Sequence, residues 1–89
     1  MKTIRISQFI RPFGAKRLLY VDIPDELEET ANGLVISVEL ITPDKVMIYA
    51  HRKGESKEDE LTELADNGPG RNSPQEALAR LIRRFHGRR

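Results

Sequence analysis

The strongest constraint on this chain lies at residues 33–52. Leu34, Ile36, Val38 and Leu40 recur at every second position, and Val46, Ile48 and Ala50 do the same. Between them stands Thr42-Pro43-Asp44-Lys45. A period of two sets such side chains on one face of a strand. Proline at the second turn position presets φ, and aspartate suits the turn that follows. Two such runs with so short a connection read as an antiparallel hairpin with one apolar face, and that face needs a cover.

The segments before the hairpin carry the same signal. Ile4, Ile6 and Ile10 alternate with polar residues across 2–10, and Leu19, Val21 and Ile23 share one face of 16–23. Arg11-Pro12-Phe13-Gly14 between them reads as a turn. Pro24 ends the second strand. Asp25 followed by Glu28 has the form of a capping box, so a short helix is expected, closed at Asn32-Gly33 by a glycine in the left-handed conformation. In residues 56–68, Leu61, Leu64 and Ala65 fall at helical spacing, with Ser56 as a cap and Gly68 as a stop. A short helix is the reading there, with an irregular edge strand as the alternative.

The cover for the sheet comes last. Ser73, Pro74 and Glu76 form a helix start, with the cap, the first helical position and the capping-box position all filled as helices prefer. Ala77, Leu78, Leu81, Ile82 and Phe85 then form one apolar stripe at 3.6 spacing. The expected fold is α+β: a four-stranded, mainly antiparallel sheet with a short helix between strands 2 and 3 and a C-terminal helix packed on one face. Leu81 and Ile36 should be mostly buried. The chain has 89 residues, the size of one domain. Residues 1–86 are expected to form it, with 87–89 a disordered basic tail.

Charge comes in blocks. Residues 1–21 carry five basic groups and no acid, and residues 22–44 carry seven acids and no base. Residues 55–66 hold six acids and one base, and residues 67–89 hold six bases and one acid. Acidic and basic elements that meet inside the fold explain this alternation. A basic face used for binding is the other reading.

Cysteine is absent, which excludes disulfides, thiolate metal sites and cysteine nucleophiles. A domain this small without disulfides points to a reducing, cytoplasmic setting. The first residues lack the continuous apolar core of a signal peptide, and no run is long enough to span a membrane. His51 and His86 stand in no metal-ligand spacing. Gly68-Pro69-Gly70 before a helix matches no phosphate-binding loop, and no serine lies in a nucleophile elbow. No enzyme, cofactor or metal is therefore expected.

Two readings of function follow. A non-catalytic interaction module would bind protein, or a second copy of itself, through the outward sheet face, where Phe9, Leu18, Tyr20, Val35, Met47, Tyr49 and His51 should lie near Arg5 and Lys45. The alternative is nucleic-acid binding through Arg80, Arg83 and Arg84 of the C-terminal helix and Arg88 and Arg89 after it, with Lys2, Arg5, Arg11, Lys16 and Arg17 of the N-terminal region as a second basic set.

Two resemblances add context. The segment Leu18-Leu19-Tyr20-Val21-Asp22-Ile23-Pro24-Asp25-Glu26-Leu27-Glu28-Glu29, with the hairpin after it, resembles the AbrB-type swapped-hairpin DNA-binding fold, in which a strand ends in Ile-Pro before a short helix and two closing strands. The basic residues that follow Ile-Pro in that family are here Asp25, Glu26, Glu28 and Glu29. Asn67-Gly68-Pro69-Gly70 followed by Ser73-Pro74 and Ala77-Leu78-Ala79-Arg80-Leu81-Ile82 is similar to the ending of small bacteriophage- and prophage-encoded proteins. That likeness implies a context and no mechanism.

Overall fold

Period-two alternation produces strands wherever it occurs. In a computed structural model that describes residues 2–10, 15–68 and 72–87, β1 (Lys2–Ile10), β2 (Ala15–Ile23), β3 (Leu34–Thr42) and β4 (Lys45–Arg52) all form. Their apolar rows face one way. Ile6, Val21, Ile23, Leu34, Val38, Val46, Ile48 and Ala50 are buried on the inner side, with Ile4, Leu19, Ile36 and Leu40 partly buried beside them. Ile36 is thus less enclosed than the alternation alone implies. Gln8, on the same inner row of β1, is fully buried. The turns expected at 11–14 and at Pro69-Gly70, Arg71, Arg88 and the expected 87–89 tail beyond Gly87 lie outside the described residues.

The four-stranded expectation is corrected. The sheet has five strands in the order β2-β1-β3-β4-β5, and it is mixed because β1 and β3 run parallel. The fifth strand, β5 (Leu61–Asp66), occupies the segment read as a helix. Ser56 does start a turn. Its hydroxyl accepts from the Glu58 N–H at 3.2 Å, but only the 3₁₀ turn Lys57–Asp59 follows. The second edge of β4 then takes the chain as an antiparallel strand, from Ala50 opposite Leu61 to Lys45 opposite Asp66. Backbone pairing with the open edge of β4 outweighs a helical spacing carried by three residues.

The link from β2 to β3 sets the sheet order. It passes β1 at one end of the sheet, so β3 lands on the far side of β1 and parallel to it. Within the link, Asp25–Leu27 is a 3₁₀ turn and α1 (Glu28–Asn32) is five residues long. Asp25 is no helix cap, since Pro24 holds that position with no side-chain cap bond. Gly33 ends α1 at φ −88°, not in the left-handed conformation. Leu27 and Ala31 turn into the core.

The last helix, α2 (Pro74–His86), follows its sequence signals closely. The Ser73 hydroxyl accepts from the Glu76 N–H at 3.3 Å, and Pro74 occupies the first turn. Ala77, Leu78, Leu81, Ile82 and Phe85 are all buried on the inner sheet face. The helix packs on β5, β4 and β2. Because β2 and β5 are opposite edges, the sheet curls around α2 as a half-barrel.

Candidate interaction surface

The curl leaves two different sheet faces. The inner one is filled by α2, α1 and the 3₁₀ turn before it. No described helix covers the outer one. Strand register sorts its residues into rows. Leu18 stands opposite Ser7 on the β2–β1 side, while Ser37, Tyr49 and Thr62 line up across β3, β4 and β5. A neighbouring row sets Tyr20 opposite Arg5, and Val35 opposite His51. A third joins Phe9 to Glu39, Met47 and Leu64.

Among the described residues, the large apolar side chains left exposed belong to this side. Tyr20 is 62% exposed, Leu18 50% and Leu64 46%, with Val35 and Ile41 similar. Met47, Tyr49 and His51 are half-buried by their neighbours in the rows. The His51 Nδ1 lies 3.6 Å from the Glu60 carboxylate, and at the other end Lys45 pairs with Asp66. Phe9 holds an outer register position; its side chain lies outside the described residues. Two members were missed by sequence reasoning. Leu64 sits on the segment taken for a helix, and Ile41 falls where the β3–β4 register shifts between Leu40 and Thr42. Only the pairing of β5 with β4 could have revealed Leu64.

The α2 arginines fall elsewhere and are partly spent. Glu63, half-buried on β5, meets Arg84 at 3.3 Å and Arg80 at 3.8 Å. Arg80 also bonds the Asn72 side chain, and Arg84 donates to the Thr62 carbonyl at 3.1 Å. Arg83 is exposed on α2. Arg5 lies on the outer sheet face, on the opposite side of the sheet from α2. Lys2 reaches the Asn32 side chain at 2.6 Å. Acidic β5 and basic α2 therefore meet within the fold.

One cleft, of about 350 Å³, opens between α1 and the end of α2, lined by Glu26, Glu29, Thr30, Arg52, Phe85 and His86 among others. Its polar groups tie elements together. Thr30 and the His86 Nδ1 share a hydrogen bond of 3.0 Å, and Arg52 donates to the Phe85 carbonyl at 3.1 Å with its guanidinium 5.6 Å from the Phe85 ring centre. Among the described residues, no group of three or more histidine, aspartate or glutamate side chains could hold a metal ion, and no helix is long and apolar enough to cross a membrane. Comparison with protein-family models, with curated proteins and with solved structures found no match.

Proposed function

We propose that this protein is a non-catalytic interaction module that presents its outer sheet face to protein. One observation carries the reading. The large exposed apolar residues Leu18, Tyr20, Val35, Ile41 and Leu64 share that face, and no described element packs on it. A sheet face that carries several exposed large apolar side chains and no cover is a candidate contact surface. The α2 arginines offer less for nucleic acid, because Arg80 and Arg84 already neutralise Glu63. Site-resolved photo-cross-linking in the producing cells tests the reading. A photoreactive residue at Leu64 should give protein adducts that one at Arg83 does not. Nucleic-acid adducts at Arg83, with none at Leu64, would overturn it in favour of a basic-helix role.

A further inference from the structure

The two edges of the sheet are treated differently. On β5 three outward carbonyls and one outward N–H are engaged. The Thr62 carbonyl accepts from Arg84, the Leu64 carbonyl accepts from the Asn72 side chain at 3.2 Å, and the Asp66 N–H donates to the Asn72 carbonyl at 2.8 Å. The Asp66 carbonyl accepts from Gly68 at 3.0 Å. On β2 the Asp22 N–H points away from β1, where it reaches only the exposed Gln75 side chain at 3.4 Å. Backbone groups alternate along a strand, so those of Leu18 and Tyr20 point the same way as Asp22. Among the described residues nothing bonds them. A nine-residue edge with exposed Leu18 and Tyr20 is a template for another strand.

We propose that β2 pairs antiparallel with β2 of a second copy, Leu19 facing itself across the two-fold axis. This deepens the interaction-module reading and rests on it. Hydrogen-bond parity and charge together select this register. Only an even-to-even register lets the outward-pointing backbone groups of residues 16, 18, 20 and 22 bond each other. Among such registers, the one centred on Leu19 sets Lys16 opposite the second copy's Asp22, and Leu18 opposite its Tyr20. Centring on Leu18 instead sets that residue against itself and Lys16 against tyrosine; centring on Tyr20 sets Asp22 against leucine. The chosen pairing makes two opposite-charge and two aromatic–aliphatic cross-strand pairs, the kinds that stabilise sheets. It also covers Leu19, which is only partly buried in one copy. The two half-barrels become one ten-stranded sheet with isologous contacts. The long Gln75 bond to Asp22 gives way to a backbone carbonyl.

Sedimentation across a concentration series and amide exchange followed by NMR test the pairing. The full chain should shift from monomer to dimer with concentration, and exchange at Leu18 and Tyr20 should slow in step while Thr62 and Leu64 do not change. Lys16→Glu and Asp22→Lys should each weaken the dimer about tenfold, and the double variant should restore it, a rescue that loss of folding cannot mimic. A strict monomer to near-millimolar concentration overturns the pairing. So does a dimer indifferent to both reversals. If that dimer is lost in Val35→Glu/Leu64→Glu, contact is through the outer face, and the interaction-module reading stands without the strand pairing.

Discussion

Glu63 on β5 and Arg84 on α2 meet at 3.3 Å, and the same guanidinium nitrogen donates to the Thr62 carbonyl at 3.1 Å. One side chain thus bonds a carbonyl of a sheet edge and pairs with an inward carboxylate. Glu63→Gln should keep the carbonyl bond and lose the ion pairs. The expected cost is about 0.5–1 kcal/mol, since both arginines are nearly half exposed and water screens them. Urea denaturation at low and at molar salt checks this. The difference between variant and parent should shrink as salt rises.

Leu81 is fully enclosed between α2 and the sheet, and Ile36 is only partly so. Leu81→Ala should cost about 2–5 kcal/mol, and Ile36→Ala less, on the order of 1–3 kcal/mol. Against a total of roughly 4–13 kcal/mol for a chain of this size, the first change removes a large share of the stability. A thermal midpoint that hardly moves in Leu81→Ala would show that α2 does not cover the sheet in solution.

Arg52 joins the end of β4 to the end of α2. Its guanidinium donates to the Phe85 carbonyl and stacks near the Phe85 ring. A cation at a helix C-terminus satisfies carbonyls the helix leaves open. Arg52→Gln should loosen the last turn, with a loss of about 1 kcal/mol. Faster amide exchange at residues 85–87, with the first turn of α2 unaffected, is the expected pattern.

Asn72 bonds the β5 edge with both its backbone and its side chain. Asn72→Ala removes the bond to the Leu64 carbonyl and the partner of Arg80. The β5 edge should then become available for strand addition. Light scattering should show faster aggregation on heating than in the parent. Equal rates would mean that Arg84 alone protects this edge.

The candidate surface is partly legible in the sequence. Alternation alone puts Tyr20, Met47, Tyr49 and His51 opposite the apolar rows, and all four lie on the outer side. It cannot say that Leu64 joins them, that Arg80 and Arg84 are engaged with Glu63, or that Arg84 and Asn72 bond the carbonyls of the β5 edge. Each of those facts depends on which segments become neighbours.

Local patterning by itself determined the four strands β1 to β4, the inward direction of their apolar rows, and the start and buried stripe of α2. Those features follow from side-chain periodicity and cap chemistry within a few residues of one another. Tertiary structure decided the strand order, the parallel β1–β3 pair and the identity of β5. Leu61, Leu64 and Ala65 suit one turn of helix as well as an edge strand, so spacing left the choice open. The unfilled edge of β4 and the arginines of α2 above Glu63 settled it, because a buried backbone must find hydrogen-bond partners and a half-buried carboxylate must find a cation.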